Sequence, residues 1–361
     1  MLSKRVAFLL LALLPVSCSR GIPAGDFIRC AIESDTFGVE ESDVTLERVG
    51  IENLDAFNSA VYGDWVVSMT GMSDDLFAVG SMSSDSLLGT FCPAGRSASE
   101  PLKALPISRL FSKGGDVCAY VCSYPDSKLL EWNVSESLRH RATVYNWAVG
   151  LGGERKYLSA IMAAPYGDDK ILVCATGQKP GLEWEVGLPS LIVYGRTDGR
   201  KLDVIDDMFS VPRRIRSSKD EMPPTVFLAG VSCASADGSH VAYAPYYLPY
   251  IVVSDVAKGT SVAYCMESGV RFDPGDARFY FASVCADNTN IYALYCDGTS
   301  DPLAVSKSLC VFGFDGKLKN MARLSAGVQN LMADTDNGLL YMYNSNDHSL
   351  WKCRLSDLNG R

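Results

Sequence analysis

The chain has only three histidines in 361 residues: His140, His240 and His348. It has no Cys-x-x-Cys pair, no His-Glu-x-x-His, no Gly-x-Ser-x-Gly and no glycine-rich phosphate loop. The usual sequence marks of a zinc site, an esterase nucleophile and a nucleotide site are therefore missing, and no metal or cofactor is expected. Beyond Val16, no apolar run approaches the ~20 residues that a spanning helix needs. Positive charge is also scarce, with 33 Lys and Arg against 42 Asp and Glu. An acidic surface repels nucleic acid, so no nucleic-acid partner is expected. The one dense basic cluster, residues 212–216, is flanked by Asp206, Asp207, Asp220 and Glu221 and reads as a solvated loop.

What is present begins at the N-terminus. Lys4 and Arg5 precede an uncharged run over residues 6–16, rich in Leu and Ala. Eleven residues are too few to cross a bilayer and fit the apolar core of an export signal. Ser17 then precedes Cys18. A small residue before a cysteine is what a lipoprotein peptidase cuts, with diacylglycerol carried on the sulfur, although Pro15 stands where Leu is usual. The alternatives are an ordinary signal with a chance cysteine, or an uncleaved segment. The expected order is a signal over 1–17, a tether over 18–42 and a folded domain over 43–361. The protein would be exported and held at a membrane of the cell envelope by lipid at Cys18. Losing Lys4 and Arg5 leaves 31 basic against 42 acidic residues, a mature charge of −11.

Eleven cysteines remain after Cys18, an odd number. Most sit inside apolar runs, such as "VCAYVC" and "ILVCAT", where cysteine acts as a small hydrophobe. Cys118 and Cys122 on one strand would lie about 13 Å apart, beyond the ~7 Å a disulfide spans.

The stretch "VFGFDGKL" at Val311 reads as strand, Asp-Gly turn, strand. The same order recurs in "LIVYGRTDGRKLDV" and, with Lys258-Gly259, in "IVVSDVAKGTSVAY". A second series is clearer. Six times a short turn of Asp, Asn and Gly leads into an apolar, aromatic strand, starting near Leu76, Val117, Lys170, His240, Ile291 and Leu339. Four strands in about 40–50 residues is the size of a propeller blade. Strands such as "KILVCAT", "NIYALYC" and "GLLYMYN" are apolar at successive positions, which requires cover on both faces. Helical periodicity is nearly absent; "SESLRHRATVYNW" is read as strand from its β-branched and aromatic end. The expected fold is all-β, a six-bladed β-propeller with four-stranded antiparallel blades. The sixth unit lacks an outer strand and residues 43–49 offer one, so an N-terminal strand is expected to close the last blade and remove an open edge.

The C-terminal third carries "IYALY", "VFGFDG" and "DTDNGLLY". It resembles the TolB-like six-bladed propeller lipoproteins of bacteria, which carry "IYALY", "VFDxDG" and "D-x-x-N-G-x-LY" near their ends. Gly313 replaces the usual Asp of the second. "AGRSASEPL" at Ala94 is similar to the family's early GxGPxE stretch, with Gly95 and Glu100 kept and the central Gly-Pro lost. The resemblance implies the fold and the anchor, and no particular activity.

Candidate sites are few. "DTDNG" at Asp334 lacks the twelfth-position Glu of a calcium loop and reads as a blade turn. Asp74/Asp75, Asp168/Asp169 and Asp206/Asp207 are adjacent pairs. Glycoside hydrolysis needs two carboxyls facing each other across about 5–9.5 Å, which adjacent residues rarely provide, so no catalytic residue is assigned. "YAPYYLPY" at Tyr243 holds four tyrosines stiffened by two prolines; Tyr246, Tyr247 and Tyr250 suit a glycan or protein ligand, or plug the propeller mouth. Trp184, between Glu183 and Glu185, suits stacking on a sugar, or caps a blade. The expected function is a non-enzymatic binding module for a glycan or an envelope protein, with a hydrolase or lyase sited at the central channel as the alternative. The channel lining discriminates between them.

Overall fold

The computed structural model describes residues 21–358 except 34–38, 40, 53, 55, 57, 71–73, 98–99, 152–157, 178–187, 206–207, 213–226 and 302. Six four-stranded antiparallel sheets follow one another, which we number as blades 1 to 6. From inner to outer strand, blade 1 runs Ala60–Tyr62, Trp65–Met69, Asp75–Ser81 and Ser86–Pro93. Blade 2 runs Leu110–Lys113, Asp116–Ser123, Lys128–Asn133 and Tyr145–Gly150; blade 3, Leu158–Pro165, Lys170–Gly177, Ser190–Gly195 and Lys201–Ile205. Blade 4 runs Gly230–Ala234, His240–Pro245, Tyr250–Asp255 and Thr260–Cys265; blade 5, Phe279–Ala286, Asn290–Thr299, Ser306–Gly313 and Leu318–Val328. Blade 6 takes Asn330–Asp334, Leu339–Asn344 and Ser349–Arg354 from the C-terminus and Glu47–Val49 from the N-terminus. The protein is a six-bladed β-propeller.

The successive apolar positions are explained by two-sided cover. In the second strand of blade 3, Ile171 and Val173 pack with Tyr120 and Cys122 of blade 2. Leu172 and Cys174 pack with Val241 and Tyr243 of blade 4. All four are fully buried. The same division holds in blade 5, where Ile291 and Ala293 face blade 4 and Tyr292 and Leu294 face blade 6. Six such cores circle the ring, the last joining Tyr341 and Tyr343 of blade 6 to Val61 and Val66 of blade 1. Nine cysteines, Cys118 and Cys122 among them, are buried in these blades as thiols.

Closure occurs as the sequence predicts, with different bounds. Val49 pairs with Leu350 and Glu47 with Lys352, antiparallel. Glu41–Val44, however, adds in parallel to the outer strand of blade 5. The break falls at Leu46, whose N–H donates to Ser325 Oγ at 2.9 Å. Val44 and Leu46 are both buried, and a single continuous strand on blade 6 would leave Val44 without that cover.

Three further expectations are corrected. In blade 1, the turn between the first two strands is Gly63-Asp64, not the stretch at Met72, which leads into the third strand. The three-residue inner strand was too short to read. Second strands therefore start at Trp65, Asp116, Lys170, His240, Asn290 and Leu339. The stretch at Ser135 splits into a helix, Val134–His140, and a strand. Asn133 caps that helix by accepting the Glu136 N–H at 2.9 Å, which stabilises a first turn that strand propensity alone disfavours. The segment expected to act as a tether is ordered from Gly21 to Glu33. Ile22–Pro23 pairs with Arg271–Phe272, a 3-10 turn covers Ala24–Phe27, and Ala31–Glu33 adds in parallel to the outer strand of blade 4. Phe27, fully buried against Phe227 and Phe272, holds it down.

Two glycines show why the turns read as they do. Gly316, in the "VFGFDGKL" motif, has φ +79°, and a Cβ there would lie 2.5 Å from Val262 of blade 4. Gly238 has φ +69°, and its Cβ would meet the Pro165 carbonyl oxygen of blade 3 at 2.1 Å. Only glycine allows both the left-handed backbone and the blade contact.

Candidate functional site

The inner strands of the six blades surround the propeller axis. Most of the lining is small: Ala163, Ala164, Ala234, Ala236, Ala286 and Ala333 line the channel with Ser235, Cys233 and Cys285. The Phe111 and Tyr120 rings, 4.9 Å apart, close one side. Together they enclose a cavity of about 30 Å³ toward the end where inner strands turn into second strands. That is room for about two waters or one small anionic group.

One charged side chain lines this cavity, Arg109. It precedes the inner strand of blade 2 and reaches blade 6, where Nη2 donates to Thr335 Oγ1 at 2.8 Å. Its Nε is buried and has no acceptor. None of the ion pairs among the described residues includes Arg109. Burial lowers its pKa, and Asp336 opposes the shift. It remains a cation, since a guanidinium does not deprotonate in proteins. Carboxylates do lie nearby: Asp336 and Asp287 both favour the charged guanidinium, and Asp334 keeps a buried Oδ1 without a partner. Asp287 accepts from the N–H groups of Thr289 and Asn290, each at 2.6 Å, and from the Tyr292 hydroxyl at 2.7 Å. Asp334 Oδ2 accepts from the Gly63 N–H and Asn337 Nδ2, each at 2.8 Å. A largely buried cation with an unspent N–H is costly unless something negative meets it. A guanidinium meets a carboxylate or similar oxyanion with directional hydrogen bonds.

The channel thiols add no nucleophile. Burial pushes the Cys233 thiol up to about 12 and the Cys285 thiol well above its ordinary value. Thiolate, the reactive form, is negligible at neutral pH in both. Among the described residues no three His, Cys, Asp or Glu side chains gather as metal ligands.

The residues singled out from sequence lie elsewhere. Tyr246 and Tyr247 sit in the loop between the second and third strands of blade 4. They form an aromatic group with Phe279 of blade 5, at ring distances of 5.2 and 6.2 Å. Both keep partial contact with solvent. Tyr250 is buried, and the 3-10 turn at Gly25 passes over its hydroxyl. Burial raises the pKa of Tyr246 and Tyr250 alike. The structure thus joins Tyr246 to Tyr247 and separates Tyr250 from them. Trp184 and Cys18 lie outside the described residues, as does most of the basic cluster at 212–216. Arg109 was missed. Its signal was a single charge entering the apolar run "ISRLF", and its neighbours across the channel are more than 100 residues distant in sequence.

No family model matches this chain, and no curated protein matches it. Among solved structures, the WD40 repeats of RRP9 align at 13% identity over 82% of this chain and 78% of that one, TM-score 0.46. Hydrazine synthase of Kuenenia stuttgartiensis aligns at 12% identity over 82% of each chain, TM-score 0.47. The β-propeller domain of Myceliophteria thermophila Cps50 (Swd1) aligns at 10% identity over 85% of this chain and 98% of that one, TM-score 0.41. The assignment as a propeller rests on the six sheets themselves.

Proposed function

We propose that this protein is a non-enzymatic binding propeller of the bacterial envelope, akin to the TolB-like lipoproteins and held to a membrane by lipid at Cys18. Its ligand presents a carboxylate or comparable oxyanion to Arg109. The observation that carries this reading is the channel: one guanidinium, its Nε without a partner, in a lining that is otherwise uncharged. Hydrolysis or elimination at this position would call for paired acids, bases or a nucleophile. The cavity lining supplies Ser, Ala, Cys, Met, Pro and two aromatics around the arginine. A single fixed cation on a rigid frame selects and orients an anion without transforming it.

The test is thermal melting of the domain from Ser19 to Arg361 against uronic acids, sialic acid, acidic peptides and their neutral analogues. A ligand at 100 times its dissociation constant adds about 2.7 kcal/mol, a shift of a few degrees in a chain this size. The acidic members should shift the midpoint, their neutral analogues should not, and Arg109→Met should abolish the difference. Sugar acids and peptide acids are separate arms, so the result also names the ligand class. A flat panel, or an equal shift in Arg109→Met, overturns the reading.

A further inference from the structure

We infer that the propeller lies against the membrane through one defined face, the one carrying the crossover from blade 4 to blade 5. The inference rests on lipidation at Cys18, proposed above. Two residues, Ser19 and Arg20, separate Cys18 from Gly21, and the three chain steps reach at most about 11 Å. The headgroup layer itself takes up about 5–8 Å of that reach. Gly21 is not the start of a loose leash. Its carbonyl accepts from Arg271 Nη2, Ile22 pairs with Phe272, and the Ala24 N–H donates to the Val270 carbonyl at 2.9 Å. The anchor therefore leaves the domain at residues 270–272, and no slack remains to let the ring tumble.

The surface beside that exit suits a bilayer. Blade crossovers and the loops between second and third strands share one face of a propeller. On that face blades 4 and 5 present Tyr246, Tyr247 and Phe279, with Leu303 66% exposed and Val305 39% exposed in the adjoining loop of blade 5. Exposed aliphatic side chains next to partly wetted tyrosines suit the boundary between headgroups and water. Exposed acids occur on both faces, Asp168, Asp169, Asp315 and Asp336 on the opposite one and Glu267, Asp276 and Asp301 on this one, so the anchor's exit and the apolar side chains, not charge, set the orientation. The Arg109 cavity lies toward that opposite end, so the ligand site points away from the membrane. Prolines and tyrosines around residue 246 thus serve as a footing for the ring.

The experiment uses full-length protein extracted from membranes and reconstituted in phosphatidylcholine–phosphatidylglycerol vesicles that carry nitroxide-labelled headgroups. Leu303→Cys and Asp336→Cys are labelled with bimane, with the parent protein defining the background from its own thiols. Bimane at position 303 should lose about half or more of its emission, as expected for a probe at the interface, while position 336 stays unquenched. Mass spectrometry of the N-terminal peptide reports the lipid on Cys18 separately. With the lipid present, equal quenching at both positions, or stronger quenching at 336, overturns the orientation and leaves the anchor standing. Absence of the lipid overturns the anchor and the orientation together.

Discussion

Blades 4, 5 and 6 and blades 1, 2 and 3 protect their outer edges differently. The first group is bound by chain from the other end of the sequence. Ala31–Glu33 lies along blade 4, Glu41–Val44 along blade 5, and Glu47–Val49 completes blade 6. Side chains fasten this wrapping: Asn320 Nδ2 donates to Ser42 Oγ and to the Leu358 carbonyl, both at 3.0 Å. Blades 1 to 3 end in their own outer strands, which leave Leu87, Leu88 and Leu202 exposed at 59, 44 and 49%. The difference teaches that the ring is one cooperative object only through contacts nearly 280 residues apart. Within blades 1 to 3, stability is local and repeats from blade to blade.

The predictions sharpen that contrast. Deleting residues 41–49 should have the largest effect. Val44 and Leu46 alone contribute about 3–6 kcal/mol of burial, and blade 6 loses its outer strand. The melting midpoint should fall by at least about 6 °C, with the transition broadened. An unchanged calorimetric midpoint would mean that the wrapping is decoration.

Next comes Trp132→Ala in the unwrapped half. Trp132 is fully buried, stacks on Phe77 of blade 1 at 5.8 Å and donates from Nε1 to Ser137 Oγ at 2.8 Å. A loss of about 3–5 kcal/mol is expected, measured by urea titration. A loss larger than that of the deletion would reverse the ranking of the two halves.

Lys113→Ala is a smaller test in the same half. Lys113 Nζ lies 2.5 Å from Glu131 Oε1, and the Glu131 side chain is 1% exposed. The Glu131 Oε2 has no partner. Removing the cation leaves the buried carboxylate with the Asn146 amide as its donor, at 2.7 Å from Oε1. The cost should be about 2 kcal/mol, below the ~3–5 of fully buried pairs because Lys113 is half in water. Glu131→Gln in the same background should recover part of it; no recovery would refute the charge argument.

Acid sensitivity should be the mildest effect and should touch both halves. The Asp255 carboxyl is held below its ordinary value by Lys258, and Asp347 by Ser349. In Asp64 and Asp237 burial pushes upward, but hydrogen bonds from Ser81 and Ser83, and from Ser235 and Ser239, outweigh it. The unfolded carboxyls return to about 3.9. Folded values below unfolded ones mean stability that is complete above about pH 4 and lost as pH falls through the folded values. Urea midpoints should be level from pH 7 to 5 and drop below 4, and Asp255→Asn should flatten the drop. A decline already present between pH 7 and 5 would point to other groups.

The amino-acid sequence by itself determined the repeating pattern. Five of the six Asp-, Asn- and Gly-rich turns, strands apolar on both faces and cysteines sunk in apolar runs each depend on neighbours a few residues away, so they are legible along the chain; in blade 1 the short inner strand hid the turn at Gly63. It also carried the need for a closing strand, because the sixth unit runs out one strand early. Tertiary structure decided the rest. Residues 41–49 divide between two blades because the chain breaks at Leu46: Glu41–Val44 pairs with blade 5, Glu47–Val49 pairs with blade 6, and Val44 and Leu46 are buried together in the core between them. Tyr250 is buried while Tyr246 and Tyr247 are not, because the 3-10 turn from Ala24 passes over one end of that loop only. Arg109 became the candidate site because ring closure brings blade 6 within reach of blade 2. A local pattern sets how each blade forms, whereas the channel and both faces exist only when all six blades meet.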